Sequence, residues 1–207
     1  MSNRLAAVSE LRKSDLAADP LEQFRNWFAE AGSAESRPAE AMALATATAA
    51  GAPSVRMVLL KGADERGFVF FTGYASRKAA ELDSNPRGAL LFHWSELGRQ
   101  VRVEGPVERV AGQESDAYFA TRPRGAQLAA IASEQSSVLS TRAELDERVA
   151  ALAREHEGDD LRRPEHWGGY RLVPETYEFW QHRDDRMHDR LRYRRSNGDW
   201  IVERLSP

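Results

Sequence analysis

Cysteine is absent from the 207 residues, which excludes disulfides, thiolate catalysis and Cys-based metal sites. The sequence also lacks an apolar run near the ~20 residues that a membrane span needs. Its first residues, which include Glu10 and Asp15, lack the apolar core of a signal peptide. We therefore expect a cytoplasmic protein. Excess positive charge is absent too, because the net charge is −3, so an anion site must come from a local cluster of cations.

Several common motifs are missing as well. There is no Gly-x-Gly-x-x-Gly, no Walker A and no Gly-x-Ser-x-Gly sequence, so a bound flavin or nucleotide would lie outside the Rossmann design. His182 and His188 are six residues apart without the spacing of known metal ligands, and we predict no metal site. Asp184, Asp185 and Asp189 interrupt the arginines near the C-terminus, which argues against a nucleic-acid surface.

The pattern of turns and apolar residues predicts an α+β fold, mainly antiparallel β, in which the sheet closes into a barrel with flanking helices. Asp19 and Pro20 have the spacing of a helix start, and a short helix is predicted over 77–84 between strands. We expect residues 1–18 to form a flexible arm and 19–207 to form one domain. The predicted strands cover residues 41–47, 55–60, 68–72, 89–94, 99–110, 169–173, 177–181, 190–194 and 200–205.

Cations frame the central stretch of the chain. Arg56 and Lys61 flank a short apolar run, and on one strand they would face opposite sides of the sheet, about 17 Å apart. Ser76 is a suitable N-cap for the helix that follows. With Arg77 and Lys78 added, that helix start suits a phosphate dianion, although each cation taken alone is as well explained as a solvated strand or helix end.

Two further groups carry possible chemistry. Tyr118 and Arg122 are four residues apart, so both project from one helix face, where they could hold a phosphate or stack on each other. Arg186, His188 and Arg190 alternate, so in an extended chain they share one face. That row could bind an anion, or it could be an edge strand protected by charge.

Taken in order, six motifs resemble the FMN-dependent pyridoxine (pyridoxamine) 5′-phosphate oxidases, from about Leu11 to Pro207. They are Arg-Met-Val-Leu-Leu-Lys at 56–61; Phe-Thr with Ser-Arg-Lys within 71–78; Arg-Gln-Val at 99–101; Tyr118 with Arg-Pro-Arg at 122–124; Gln-Ser at 135–136; and Glu-Phe-Trp-Gln at 178–181 with Arg-Met-His-Asp-Arg at 186–190 and the closing Trp200 and Arg-Leu-Ser-Pro at 204–207.

The resemblance implies an FMN-binding split β-barrel that forms a homodimer with FMN at the interface, and a C-terminal segment from about 167 to 207 for dimerisation and substrate binding. The implied catalytic residues are Arg186 and His188. The implied substrate residues are Lys61, Tyr118, Arg122, Arg186 and His188. The implied FMN residues are Arg56, Met57, Val58, Leu59, Leu60, Lys61, Phe71, Thr72, Arg77, Lys78, Gln100, Gln135, Ser136, Trp180 and Arg190.

The implied reaction is oxidation of pyridoxamine or pyridoxine 5′-phosphate to pyridoxal 5′-phosphate, with hydride transfer to flavin and reduction of O2 to H2O2. The sequence departs from the family at two places. Ala126 stands where the family has a phosphate-binding serine. The N-terminal arm of the family carries an arginine and a tyrosine that can cover the active site, whereas residues 3–6 here contain Arg4 but no tyrosine. A related flavin oxidase acting on another ring, such as a phenazine precursor, and a non-catalytic flavin- or pyridoxal-phosphate-binding protein are the alternatives.

Overall fold

Ten strands form one antiparallel sheet in the residues described by the computed structural model of the protein, which are 10–35, 37–158 and 160–207. The strands are β1 Ala41–Ala47, β2 Pro53–Leu59, β3 Gly62–Asp64, β4 Gly67–Gly73, β5 Arg87–Trp94, β6 Arg99–Arg109, β7 Trp167–Leu172, β8 Thr176–Gln181, β9 Asp189–Ser196 and β10 Asp199–Arg204. The helices are α1 Pro20–Ala34, α2 Arg77–Ser84, α3 Gly112–Thr121, α4 Arg124–Ala132 and α5 Arg142–Glu155.

Strand β6 connects the two halves of the sheet. The strands run in the order β10-β9-β8-β6-β5-β1-β2, and the end of β6 leaves this order to pair with β7, which pairs with β4. The crossing point is Gly105, where an added Cβ would lie 1.9 Å from the carbonyl oxygen of Val173. A side chain is therefore sterically excluded there, and the sheet bends at this residue into a half-closed barrel.

Helix α1 packs on the barrel interior. The Asp19 carboxylate accepts hydrogen bonds from the backbone N–H groups of Leu21 (2.6 Å) and Glu22 (3.3 Å), as the sequence predicts for a helix start. The buried face of α1 places Phe24 4.8 Å from the ring of Phe68, edge to face, and further aromatic rings extend this core across the barrel.

The fold class predicted from the sequence is confirmed, and β1 and α2 have the predicted bounds. Strand β3 was not predicted, because its Gly- and Asp-containing sequence resembles a turn. Within the predicted arm, Leu11 packs on the domain: it is 6% exposed, and its backbone N–H donates to the Asp189 carboxylate at 3.0 Å. Residues 1–9 of the predicted arm, including residues 3–6, lie outside the described residues.

Among the described residues, no helix is both long and apolar enough to cross a membrane.

Candidate functional site

A cavity of about 650 Å³ opens between β2, the start of α2, α3 and the loop at 133–137. It gathers cations and polar groups from segments far apart in sequence, with apolar side chains of β2 and β4 beside them. Its lining residues are Ser54, Val55, Arg56, Met57, Val58, Leu59, Lys61, Phe71, Thr72, Arg77, Lys78, Tyr118, Arg122, Gln135, Ser136 and Trp167.

At one wall of the cavity, Arg56, Arg77, Lys78 and Glu81 form what we call the cationic cluster. Glu81 is 3% exposed, and its carboxylate accepts hydrogen bonds from Arg56 Nη2 at 3.1 Å and Arg77 Nε at 2.8 Å. Hydrogen bonds from Ser54 and Thr46, followed by those from the two arginines, lower the pKa of Glu81 to about 2. Glu81 is therefore an anchor that fixes both guanidinium groups at the cavity.

Lys78 is the most deeply buried cation of this cluster, at 7% exposure. Its Nζ donates to Thr72 Oγ1 (3.0 Å), Ser76 Oγ (3.2 Å) and Gln135 Oε1 (3.0 Å). None of these three acceptors is a carboxylate. Burial, together with the charge of Arg56, lowers the pKa of Lys78 to about 8. A buried amine held by neutral oxygens is suited to meeting an anionic ligand.

The loop at 133–137 covers the start of α2. Ser136 has a positive φ of 76°, which is uncommon for a residue with a side chain, and its Oγ accepts the backbone N–H of Arg77 at 3.3 Å. Ser76 occupies the N-cap position, as predicted, but its side chain makes no capping hydrogen bond. The helix start is therefore completed by a distant loop, which the local sequence could not reveal.

Aromatic rings form a second wall. Phe71 and Tyr118 stack with centroids 4.0 Å apart, and Trp167 lies nearly parallel to both, at 5.5 Å and 6.2 Å. The guanidinium carbon of Arg122 lies 4.6 Å from the Trp167 ring centroid. Burial lowers the pKa of Arg122, and its Nη1 is buried without a hydrogen-bond partner. This arginine is the second cation in the cavity with unused capacity to bind an anion.

The remaining predicted residues form what we call the outer-face group, on the side of the sheet away from the core. Gln100, Trp180 and Arg190 are direct register partners across β6, β8 and β9. Strand β8 is four strands from β2, or roughly 19 Å at about 4.8 Å per strand. Within one chain this group therefore does not line the cavity.

Arg186 and His188 lie in the loop before β9 and complete the outer-face group. The backbone N–H of Arg183 donates to His188 Nδ1 at 3.1 Å, so the neutral ring carries its proton on Nε2. The His188 ring centroid is 4.6 Å from that of Trp180. The predicted alternation along an extended chain is wrong for Arg186, which has a φ of 64° in a turn before the strand begins.

The cavity also corrects the expectation that Arg56 and Lys61 face opposite sides of the sheet. Strand β2 ends at Leu59, so the side chain of Lys61 no longer follows the alternation of sides along the strand. It lines the same cavity as Arg56. Leu60, between them, turns its side chain into the core at 7% exposure. Ala126 lies in the first turn of α4.

Five residues at or behind the cavity were not singled out from the sequence: Thr46, Ser54, Val55, Glu81 and Trp167. Glu81 had a detectable signal, because it is four residues after Arg77, a spacing that favours ion pairs on a helix. Thr46 and Ser54 are partners in the β1–β2 register, which emerges only from strand pairing. Trp167 had no signal in the sequence.

Among the described residues, no group of three or more His, Asp or Glu side chains is placed to hold a metal ion.

Comparison with known proteins connects these features. Residues 28–153 match the family described as pyridoxamine 5′-phosphate oxidase, and residues 167–207 match the pyridoxine 5′-phosphate oxidase C-terminal dimerisation region. The pyridoxine/pyridoxamine 5′-phosphate oxidase of Salinibacter ruber is 53% identical, over 97% of this chain and 95% of that protein. The protein of the same name from Rubrobacter xylanophilus is 57% identical, over 91% and 87%.

Solved structures give the same architecture. The crystal structure of PhzG from Burkholderia lata, in complex with tetrahydrophenazine-1-carboxylic acid, superposes with a TM-score of 0.91 at 35% identity, covering 98% of this chain and 100% of that one. A pyridoxamine 5′-phosphate oxidase-related, FMN-binding protein from Nostoc punctiforme superposes at 0.74 and 17% identity, over 93% and 100%, which shows the fold alone.

Proposed function

The chain belongs to the pyridoxamine 5′-phosphate oxidase family, and from this membership we propose that it oxidises pyridoxamine 5′-phosphate and pyridoxine 5′-phosphate to pyridoxal 5′-phosphate, with O2 reduced to H2O2. With the amine substrate, oxidation gives an imine, and water hydrolyses it to the aldehyde and ammonia. The observation that carries the proposal is a cavity with two separate sets of cations. One is the cationic cluster, and the other includes Arg122 with its unpartnered buried nitrogen. A phosphorylated flavin together with a phosphorylated substrate requires two such sets.

The cofactor is a flavin, and we assign it as FMN. Three cations and one carboxylate leave the cationic cluster with two positive charges, which match a phosphate dianion. The buried amine of Lys78 and its neutral oxygen partners fit the same group. When bound, the flavin supplies the electron acceptor for the substrate and delivers the electrons to O2.

We assign the homodimer and its shared site on three observations. Gln100, Trp180 and Arg190 of the outer-face group lie three to five strands from β2 in the same chain. The β2 edge exposes Val55 (69%), Met57 (66%) and Leu59 (45%), a hydrophobic strip that a second copy can cover. Residues 167–207 match a dimerisation region. In this arrangement the outer-face group of one copy faces the cavity of the other.

Within that site, each group of side chains has a task. Lys61, Tyr118 and Arg122 bind the substrate phosphate. Arg186 and His188 orient the substrate ring, with the His188 Nε2 proton available as a hydrogen-bond donor. Phe71 and the other rings of the aromatic wall form an apolar side of the cavity next to Arg122. Positioning is the main contribution of the protein.

Purified protein tests the proposal directly. We expect it to be yellow and to consume O2 with pyridoxamine or pyridoxine 5′-phosphate, but far more slowly with their dephosphorylated forms. A colourless protein that takes up no flavin would contradict the proposal.

A second candidate is oxidation of a phenazine precursor, favoured by the likeness to PhzG at 35% identity. The same oxygen-uptake assay separates the two functions. Activity on an unphosphorylated tricyclic substrate, without activity on the phosphorylated vitamers, would select the second candidate.

A further inference from the structure

Trp167 is the first residue of β7 and lies at the junction of two cavities. It is 7% exposed and lines both the cavity described above and a second one, of about 560 Å³, between α4 and α5. Its register partner is Gly73, at the end of β4. The ring therefore belongs to the rigid sheet, and it separates the cavity from the helices behind it.

Arg122 depends on this ring. Its guanidinium carbon is 4.6 Å from the centroid of Trp167 and 5.9 Å from that of Phe119. Among the described residues, Nη1 of Arg122 is a buried side-chain nitrogen that has no hydrogen-bond partner. An aromatic face stabilises a guanidinium group without occupying its N–H donors. Trp167 thus holds the cation and leaves its hydrogen bonds free.

Tyr118 belongs to the same group of rings: it stacks on Phe71 at 4.0 Å, and Phe71 in turn lies 5.5 Å from Trp167. The planes of Tyr118 and Trp167 differ by 10°, and those of Phe71 and Trp167 by 12°. The three nearly parallel rings restrict the tyrosine, because its side chain cannot rotate without leaving the stack. Trp167 therefore supports Arg122 directly and Tyr118 through Phe71.

We propose that Trp167 is a positioning residue for the substrate phosphate, acting through Arg122 and Tyr118 rather than by contact with the reacting carbon. Because it acts on the phosphate of the proposed substrate, this role rests on the proposed function. It predicts a loss of affinity for substrates and products that carry a phosphate, with flavin binding retained, since the cationic cluster that would hold the flavin phosphate includes neither Trp167 nor its two partners.

The test uses the flavin-loaded protein and pyridoxal 5′-phosphate as the probe, titrated without turnover. Trp167→Leu removes the aromatic face, and we expect it to weaken binding about 5- to 30-fold, the range of a partly to fully desolvated cation–π contact. Trp167→Phe keeps an aromatic face and should restore most of the affinity. The matched control is Trp200→Leu, since Trp200 also carries an arginine over its ring, Arg195 at 4.0 Å. That variant should bind the probe like the wild type.

A double-mutant cycle separates positioning from a general structural effect. In an Arg122→Ala background, Trp167→Leu should weaken binding by less than about twofold, because its main partner is already gone. If Trp167→Leu does not fold, Trp167→Phe takes its place in the cycle. The small loss of probe affinity that Trp167→Phe causes in the wild-type background should then be absent in the Arg122→Ala background. Wild-type affinity in Trp167→Leu, equal losses in both backgrounds, or no probe binding by the wild type would each overturn the role. Oxygen uptake by the wild type tests the proposed function separately.

Discussion

At the scale of single residues, Lys78 makes flavin binding depend on pH. Its pKa is lowered to about 8 by burial and by the neighbouring Arg56, and a bound phosphate dianion would raise it again. The complex then holds the proton more tightly than the free protein does. FMN affinity should therefore be greatest below pH 8 and fall as the pH rises through 8, by at most about tenfold per pH unit.

Fluorescence titration of FMN between pH 7 and 9.5 measures this effect, because the phosphate is already a dianion throughout that range. Riboflavin is the control ligand: it lacks the phosphate, so its affinity should change little with pH. Lys78→Met should bind FMN weakly and with a flat profile. A wild-type profile as flat as that of the variant would show that the amine does not meet the phosphate.

Bound FMN should partly compensate for the loss of the Glu81 charge. In Glu81→Gln the buried charge that anchors Arg56 and Arg77 is lost, and breaking a buried pair in this way costs about 3 kcal/mol in unfolding free energy. Bound FMN brings negative charge back to the same two arginines. We therefore expect a large loss of stability in the flavin-free protein and a clearly smaller one with saturating FMN.

Chemical denaturation at fixed protein and flavin concentrations measures both losses. Glu114→Gln is the matched control, because Glu114 pairs at 2.8 Å with Arg171, whose side chain is 7% exposed, away from the cavity. The loss of unfolding free energy in Glu114→Gln should be the same with and without FMN. Equal losses for Glu81→Gln in the two conditions would mean that the phosphate lies elsewhere.

Residue types and motif order identify the cations of the site, but they do not identify the residues that hold those cations in place. Arg77 and Lys78 could be predicted at an anion site because a helix start has a local signature. Trp167 could not, since it reaches the cavity only through the pairing of β4 with β7, about ninety residues apart in the chain.

At the scale of elements, capping and proline rules predicted the helix bounds, because residues next to each other in the sequence decide them. Asp19-Pro20 begins α1, and α2 covers the predicted residues 77–84, directly before Asn85-Pro86. The end of β2 at Leu59 and the division of β6 between two sets of partners depend on the whole sheet. The two errors that mattered for the site, at Lys61 and Arg186, both arose from assuming strand-like alternation of side chains outside a strand, after the end of β2 and before the start of β9.

Gly105 tests the crossing of β6. Gly105→Ala would place a Cβ 1.9 Å from the Val173 carbonyl oxygen, so the strand must shift, and we expect a loss of about 3 kcal/mol. Gly32→Ala is the matched control: Gly32 lies in α1 with nothing within 4 Å of its added Cβ, and it should gain up to about 1 kcal/mol. Thermal unfolding of the two variants side by side measures the contrast, and a harmless Gly105→Ala would refute the tight approach.

At the scale of the whole molecule, the two groups of site residues define how many chains a site needs. The strands that carry the outer-face group lie three to five strands from β2 in one chain, yet the proposed reaction requires both groups around one substrate. A two-fold dimer satisfies this by placing the outer-face group of each copy on the cavity of the other, which produces two equivalent sites. No local feature of the sequence predicts that geometry, because it depends on a surface that the second copy covers.

Hybrid dimers test this arrangement. Arg122→Ala damages the cavity and His188→Ala damages the outer-face group, so each variant alone should be nearly inactive. When the two are co-expressed with different tags, a mixed dimer has one site with both defects and one site with neither. Random assembly should restore about a quarter of the wild-type activity, and the doubly tagged fraction about half.

The control pairs Arg122→Ala with Lys61→Ala, two substitutions in the same cavity group. Every site in that mixture carries one defect, so no activity should return, although the chains exchange equally well. Recovery in this control would show that the sites are not assembled as described. Absence of recovery in the Arg122→Ala and His188→Ala mixture, with mixed dimers isolated by their tags, would mean that each chain completes its own site, and the shared arrangement would have to be abandoned.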